Sequence, residues 1–135
     1  MTTNPETVID TSALMAYWLN EPGADHFYKM LRNRRPLIMH HANICELMFS
    51  MPRKSMNRLA PEIIQKEIFH LGIRQIAWMD LPFCDLAASI RLAAPALSLG
   101  DGIAVATASL LGVPVMTSEK AFLEAAEFAS IKMIR

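Results

Sequence analysis

Four acidic residues in this 135-residue sequence follow or interrupt apolar stretches, where a surface acid is not expected. Asp10 comes directly after the β-branched stretch "TVI", and Glu46 lies within the almost wholly apolar stretch "HANICELMF". Asp101 opens an apolar helical stretch, and Glu119 comes shortly after "VPVMT". Two carboxylates about 5 Å apart repel by about 3 kcal/mol at an effective dielectric of about 20, so four of them in one crevice would share protons or hold a cation. Ligands that are all oxygens favour a hard ion, Mg²⁺ or Mn²⁺.

Each of these acids can also be weighed against a structural explanation. Asp10 could cap the helix that follows it, and Asp101 has the capping-box spacing with a serine three residues earlier. Glu119 would suit the first turn of a helix, where a negative charge is favourable. Glu46 has no such explanation, because an unpaired charge among core side chains is costly. Asp80 is a comparison: it precedes "LPF" and a helical stretch, so an N-cap explains it fully and we exclude it from the site.

The elements that must position these acids alternate along the chain. We predict strands at 7–10, 36–40, 75–79, 113–117 and 131–134, and helices at 12–19, 24–34, 42–51, 61–71, 81–93, 101–111 and 119–127. Strands separated by helices favour right-handed crossovers and a mostly parallel sheet with helices on both faces. The predicted fold class is therefore α/β, a three-layer α/β/α sandwich with a roughly five-stranded sheet. Its single domain covers 1–135, with a helical hairpin across 42–71.

In a parallel sheet the carboxyl ends of all strands share one edge, and ligands bind in the crevice there. We therefore expect Asp10 and Glu119, which follow different strands, to meet at that edge.

Composition limits the class of protein. The formal net charge is zero, so the whole-molecule charge gives no electrostatic case for a nucleic-acid partner. No apolar stretch approaches the ~18–20 residues of a membrane span, and the two cysteines form neither a CxxC pair nor a disulfide framework. We therefore expect a cytoplasmic protein without membrane contact. Basic residues gather at 29–35 and 53–58, either as solvated helix ends or as phosphate contacts.

Several segments together resemble one known family. They are "VIDTSALMAYWLNEPGAD" near the start, "ANICELM" in the middle, and "LSLGDGIAVATASLLGVPVMTSEKAF" followed by the terminal "IKMIR". In this order and spacing they resemble the PIN-domain ribonucleases, specifically the VapC-type toxins of toxin–antitoxin (VapBC) pairs. The resemblance covers essentially the whole chain and depends on the four acids recurring together.

The resemblance implies a metal-dependent endoribonuclease that is the toxin of such a pair and hydrolyses RNA with water activated by Mg²⁺ or Mn²⁺. The implied catalytic and metal-site carboxylates are Asp10, Glu46, Asp101 and Glu119. The implied supporting polar groups are Ser12, Asn43 and Thr117. The RNA phosphates would be contacted by Arg32, Arg34, Arg35, Arg53 and Lys54.

The implied partners are the RNA substrate and a cognate, VapB-like antitoxin, in a homodimer or a toxin–antitoxin hetero-oligomer. The antitoxin would pack against a helical groove beside the site and reach the acids with a basic side chain. Five methionines lie on or beside the helices that flank the site and belong either to this groove or to the core: Met15, Met30, Met48, Met51 and Met56.

Two residues depart from the family's pattern. The fourth acid is usually Asp and is Glu119 here, whose longer side chain has one more bond to restrict. We therefore expect one firmly held ion and a second, weaker one. Gly102 follows the third acid, where close relatives often have a basic residue that would contact phosphate.

Other functions were weighed against the same residues. A non-catalytic PIN-like domain would bind RNA or a protein partner without cleaving. A haloacid-dehalogenase-type phosphatase needs D-x-D, and Ser12 stands where the second Asp belongs. A receiver-type phosphoacceptor domain needs adjacent acids near the first strand, and Asp10 has no acidic neighbour. His40 and His41 would face opposite sides of a strand, which argues against a shared zinc ion.

Overall fold

A five-stranded parallel sheet forms the middle layer of the fold, as predicted. The computed structural model describes residues 6–54 and 60–135. The strands are β1 (Thr7–Ile9), β2 (Leu37–His40), β3 (Arg74–Ile76), β4 (Val115–Thr117) and β5 (Ile131–Met133). They lie in the order β3-β2-β1-β4-β5, and every neighbouring pair is parallel. β1 is therefore the central strand, and the residue after it lies at the middle of the sheet's carboxyl edge.

Helices cover both faces of the sheet. Within the described residues they are α1 (Thr11–Trp18), α2 (Ala24–Arg32), α3 (His41–Lys54), α4 (Pro61–His70), α5 (Leu81–Ala93), α6 (Leu99–Leu111) and a 3₁₀ helix (Lys120–Ala125). Side chains alternate between the faces of a strand, so Ile9 joins the core under α1–α4 and Val8 joins the core under α5, α6 and the 3₁₀ helix. The predicted α/β sandwich is confirmed. No helix in the described ranges is long and apolar enough to cross a bilayer.

The strand that leads to Asp10 is held from both sides. The N–H of Thr7 donates to the carbonyl of Pro36 at 3.0 Å, and the N–H of Val8 donates to that of Pro114 at 2.9 Å. Val8 and Ile9 are completely buried, and burial of each side chain contributes about 1.5–3 kcal/mol. The sequence therefore attaches its first candidate ligand to the central, fully buried strand of the sheet.

The end of β3 and the type of the last helix differ from the prediction for tertiary reasons. β3 ends at Ile76 instead of residue 79, because the neighbouring β2 ends at His40, opposite Ile76. Residues 119–127, predicted as an α-helix, form the shorter 3₁₀ helix. Its buried residues are Phe122 and Ala125, three positions apart, and a 3₁₀ helix places exactly such a pair on one face.

The predicted hairpin across 42–71 falls partly within the described residues. α3 continues through Pro52 to Lys54, where the sequence predicts a loop. Met51 is completely buried, and the Arg53 guanidinium lies 5.0 Å above the Phe49 ring, so the last turn is held by contacts that outweigh the proline. Residues 55–59 lie outside the described part of the chain, and α4 follows and packs against α3.

Most of the methionines near the site belong to the core. Met15, Met30 and Met51 are at most 7% exposed, so these three are core residues and not a partner-binding surface. Met48 is partly buried and lines a groove between α3 and α4. Met56 lies outside the described residues.

Candidate active site

Asp10 ends β1 and caps α1 at the same time. Its Oδ1 accepts the N–H of Ala13 at 3.0 Å, which satisfies one of the free donors at the start of a helix. The Ser12 hydroxyl donates to the same carboxylate, at 2.9 Å from Oδ1 and 3.0 Å from Oδ2. Thr117 Oγ1 donates to Oδ2 at 3.1 Å. The capping explanation is therefore correct for Asp10, and it leaves room for a second role.

Two backbone N–H groups hold the hydroxyls that contact Asp10. The N–H of Ser118 donates to Ser12 Oγ at 3.1 Å, and the N–H of Glu119 donates to Thr117 Oγ1 at 3.0 Å. Each hydroxyl thus accepts a hydrogen bond from the backbone and donates one to the carboxylate. Ser12 and Thr117 connect Asp10 to the segment that carries Glu119.

Burial makes Asp10 an unusually weak acid. The side chain is 1% exposed, and this burial raises its pKa from 3.8 to about 7. Hydrogen bonds from Ala13 and Ser12 lower the pKa, while the charges of Glu119 and Asp101 raise it. A cation beside the carboxylate would favour its ionised form.

Asp101 and Glu119 bring their carboxylates to Asp10. One oxygen from each of the three lies within 4.8 Å of the other two. Asp101 is positioned by a capping box at the start of α6: its Oδ2 accepts the N–H of Ser98 at 3.0 Å, and its own N–H donates to Ser98 Oγ at 3.1 Å. Two helix-capping acids are thus brought to one place, which capping alone does not require.

Glu119 is exposed and precedes the 3₁₀ helix. Partial burial raises the pKa of Glu119, as do the charges of Asp101 and Glu46 and a hydrogen bond with the Asp101 carboxyl, while Arg135 lowers it. Two carboxyl groups can share a hydrogen bond only when one of them carries a proton. Among the described residues no N–H or hydroxyl donates to the Glu119 carboxylate, so it is held less firmly than Asp10.

Glu46 lies on α3 beside these three carboxylates. Its Oε1 accepts from Asn43 Nδ2 at 3.2 Å and from Thr11 Oγ1 at 3.3 Å. Asn43 Nδ2 also donates to the carbonyl of Gly100 at 3.0 Å, and a Cβ at Gly100 would overlap the Glu46 carboxylate. Burial raises the pKa of Glu46, the Asn43 hydrogen bond lowers it, and the charge of Asp101 raises it. Groups from α1, α3 and α6 therefore hold Glu46 in place.

The four carboxylates border a pit of about 480 Å³, which we call the acidic pit. Two basic residues also line it, Lys54 at the end of α3 and Arg135 after β5. Arg135 Nε donates to the carbonyl of Ser118 at 3.4 Å. Of the five basic residues predicted to contact RNA, Lys54 is the one that the structure brings to the pit.

The other four predicted RNA contacts lie elsewhere. Arg53 stacks over Phe49, and Arg32 and Arg34 are exposed around the end of α2. Arg35 is partly buried and lines a separate notch.

The adjacent histidines have structural partners. His40 ends β2, and its Nδ1 accepts the N–H of Ala42 at 2.9 Å while its Nε2 lies 2.8 Å from the carbonyl of Trp78. Burial lowers the pKa of His40, which suits a neutral ring that accepts at Nδ1 and donates at Nε2. His41 begins α3 instead of continuing the strand, and it contacts Gln75.

The groups that surround the pit fit a hard divalent cation. The converging side chains of Asp10, Asp101 and Glu119 offer carboxylate oxygens alone, which are the ligands that Mg²⁺ and Mn²⁺ prefer. Burial raises the pKa values of Asp10, Glu46 and Glu119, so ionising these carboxyl groups in the pit calls for a compensating positive charge. A cation would supply it.

Comparison with known families identifies the family of this chain. The sequence model of the PIN domain matches residues 7–128. The chain belongs to the PIN domain family. PIN domains are generally nucleases, and all four carboxylates of the acidic pit lie within the matched range. No curated protein matches the sequence of this PIN domain.

Solved structures share the PIN fold at low sequence identity. A toxin–antitoxin complex from Klebsiella pneumoniae is 19% identical with a TM-score of 0.64, covering 86% of this chain and 89% of that one. PAE2754 from Pyrobaculum aerophilum is 18% identical with a TM-score of 0.67, covering 97% and 92%. DNA-bound VapBC from Salmonella typhimurium is 16% identical with a TM-score of 0.64, covering 97% and 99%. The fold of this PIN domain is therefore shared over nearly its whole length.

Among the residues at or beside the PIN domain's pit that escape prediction from the sequence are Thr11, Glu21, Gly100 and Arg135. Thr11 lies in the quoted stretch "IDTS", but only the structure shows that it reaches Glu46. Gly100 precedes the third acid in "SLGDG", and a glycine beside an acid could have suggested close approach of another side chain. Arg135 carries no signal, because its contact with Ser118 is a tertiary one.

Proposed function

We propose that this PIN domain is a divalent-metal-dependent endoribonuclease that acts as the toxin of a toxin–antitoxin pair. The observation that carries the proposal is the convergence of Asp10, Asp101 and Glu119 within 4.8 Å. Repulsion of about 3 kcal/mol for each pair of charges opposes this convergence. Helix capping does not require the capping carboxylates to lie close to one another. A ligand bound by all three would explain why they do.

Each carboxylate has a role that follows from how it is held. Asp10 and Asp101 are the first choices for direct ligands, because hydrogen bonds fix each of them at the pit. Glu119 completes the ligand set from a less restrained position. Glu46 accepts hydrogen bonds on Oε1 and would orient the attacking water with its other oxygen.

The chemistry combines a cation with this chain's own groups. A bound Mg²⁺ or Mn²⁺ would supply charge neutralisation for the phosphate and a more acidic water. Glu46, whose pKa is raised by burial, is suited to take the proton of that water at neutral pH. Lys54 and Arg135 line the pit and would contact the oxygens of the scissile phosphate.

The proposed partners follow from the relatives. One structural relative is described as a toxin–antitoxin complex and another as DNA-bound VapBC, so a cognate antitoxin is proposed here, in a homodimer or a hetero-oligomer. The groove between α3 and α4 has a volume of about 720 Å³ and is lined by Ile44, Met48 and the 77%-exposed Phe69. Such a surface suits the apolar face of a partner helix.

A cleavage assay with matched variants tests the proposal. Wild-type protein should cut RNA in the presence of Mn²⁺ or Mg²⁺ and not in the presence of EDTA. Asp101→Asn should lose at least ~100-fold in rate. Asp80→Asn is the control, because Asp80 also caps a helix, α5, by accepting the N–H of Phe83 at 3.0 Å, as predicted, but lies outside the pit.

A different result would identify a binding protein. If wild-type protein binds RNA but cuts none at any Mn²⁺ concentration, the non-catalytic alternative is correct. In cells, expression of the wild-type chain alone should slow growth, and co-expression of a small protein encoded beside it should restore growth. Harmless high-level expression of folded wild-type protein would contradict the toxin assignment.

A further inference from the structure

A basic notch lies between α2 and β5. It has a volume of about 200 Å³ and is lined by His26, Lys29, Met30, Asn33, Arg35 and Lys132. His26, Lys29 and the buried Met30 on α2, with Asn33 just after it, follow the spacing of one helix face. Lys132 comes from the edge strand, so two separate elements direct cationic side chains at one concavity.

The turn after α2 brings Arg35 to the notch. Arg34 has a left-handed backbone with φ of 52°, and the N–H of Arg35 donates back to the carbonyl of Met30 at 3.1 Å. This is the geometry of a Schellman motif, in which glycine is the usual left-handed residue. A non-glycine residue in this conformation costs about 1–2 kcal/mol. The backbone conformation of Arg34, which returns Arg35 toward Met30, is therefore not the one that its own local preference favours.

The cations of the notch are not neutralised by neighbouring acids. Within the described residues the single ion pair is Arg74 with Glu6, at 2.9 Å on the far edge of the sheet. Lys29 lies in the last turn of α2, where the helix dipole favours a cation. That effect does not account for Lys132, which belongs to a strand. A neutral protein thus keeps unpaired positive charge at one place and acidic residues at another.

The end of the chain after β5 connects the notch to the pit. Arg135 lines the pit, and three steps of extended chain, about 10 Å between Cα atoms, lead to it from Lys132. The other side is equally continuous, because a Cβ at Gly23, just before α2, would lie 2.7 Å from the carbonyl oxygen of Ile134. A strand of nucleic acid that leaves the pit over this edge meets the notch next.

We propose that the basic notch binds a backbone phosphate of the single-stranded RNA whose scissile phosphodiester lies in the acidic pit. This inference rests on the proposed function. The acidic pit repels a polyanion, so the substrate needs cations beyond the pit, and the notch supplies three that are charged at neutral pH. A backbone phosphate is the group that every RNA offers there, whatever its sequence.

Salt dependence of RNA binding tests the notch. The probe is a short fluorescein-labelled oligouridylate, and the parent protein carries Asp10→Asn, is assayed in EDTA and therefore does not cut. For single-stranded RNA, each lost phosphate contact makes the plot of log association constant against log salt concentration less steep by about 0.7. Near 0.15 M salt this corresponds to about fourfold weaker binding. Lys132→Gln should show this change, and Lys29→Gln with Lys132→Gln should show about twice the slope change and about 14-fold weaker binding.

Lys66→Gln is the matched control, since it removes the same charge from α4. It should leave the slope unchanged. An equal slope for Lys132→Gln and its parent, or an equal loss for Lys66→Gln, would overturn the inference. A labelled oligoglutamate of similar charge tests whether the notch binds an acidic protein segment instead of RNA. If Lys132→Gln weakens binding of this peptide and not binding of RNA, the inference is wrong.

The notch and the proposed function can fail separately. In the chain that retains Asp10, Lys132→Gln should raise KM for RNA about fourfold with kcat unchanged, because it removes binding that is the same in the ground and transition states. Cleavage by the wild type with no effect of Lys132→Gln on KM or on the slope rejects the notch alone. Absence of cleavage together with the expected slope change rejects the nuclease and retains the notch.

Discussion

Replacing Asp10 by asparagine should stabilise the protein when no metal is present. Asn has the same shape as Asp, so its Oδ1 can still accept the N–H of Ala13. Its Nδ2 can donate to the hydroxyls of Thr117 and Ser12, each of which also accepts a backbone N–H. We expect this exchange to cost about 1 kcal/mol, as for one altered hydrogen bond. The substitution removes a buried charge, and this effect is larger.

The size and sign of the charge effect follow from the pKa of Asp10. The folded-state pKa of about 7 lies above the ordinary value of 3.8, so the folded protein binds the proton more tightly than the unfolded chain. Stability is unaffected below pH 3.8, falls as the pH rises from 3.8 to about 7, and is constant above that range. At 1.36 kcal/mol for each pKa unit, the loss is about 1.5 kcal/mol at pH 5 and about 4 kcal/mol at pH 8. After the hydrogen-bond cost, Asp10→Asn should be more stable than wild type by about 3 kcal/mol at pH 8 and by less than about 1 kcal/mol at pH 5.

Urea denaturation at both pH values, followed by circular dichroism with EDTA and then with Mg²⁺, measures these differences. Metal at 1,000 times its Kd should reverse the order at pH 8, because it adds about 4.1 kcal/mol to wild type and much less to the variant. A stability difference that does not change between pH 5 and pH 8 in EDTA would refute the assignment of a raised pKa to Asp10. Equal effects of Mg²⁺ on both proteins would refute its role as a ligand.

Two further variants test the remaining carboxylates. Gly100→Ala should reduce RNA cleavage at least ~10-fold, because the new methyl group displaces Glu46; a folded Gly100→Ala protein that cuts as fast as wild type would contradict the proposed role of Glu46. Glu119→Gln should lose less activity than Asp101→Asn across a Mn²⁺ titration, since no described N–H or hydroxyl fixes Glu119; equal loss at every Mn²⁺ concentration would make Glu119 a primary ligand.

Local sequence was sufficient to predict the fold class and most elements. The β-branched stretch before Asp10 and the alternation of strands and helices both reflect local preference and side-chain periodicity, which the final structure preserves. The end of β3 could not be predicted, because it depends on where β2 stops pairing. The continuation of α3 through Pro52 depends likewise on the burial of Met51.

The candidate site was predictable to the extent that sheet geometry determines it. Asp10 and Glu119 follow neighbouring parallel strands, so their meeting needs no knowledge of side-chain packing. The position of Glu46 was not predictable, because it depends on Asn43 and on the space left by Gly100. The basic notch was not predictable from the sequence either, because Lys132 approaches α2 only in the folded chain.

The central position of β1 has a consequence for the time at which the protein becomes active. β4 and Glu119, which complete the pit, are made long after Asp10. At ~5–20 residues per second, a ribosome needs roughly 5–22 s to pass from Asp10 to Glu119, and during that interval no acidic pit can form. For the nuclease proposed here, a growing chain is harmless to the messenger RNA and ribosome that produce it. An antitoxin translated first would already be present when the last ligand emerges.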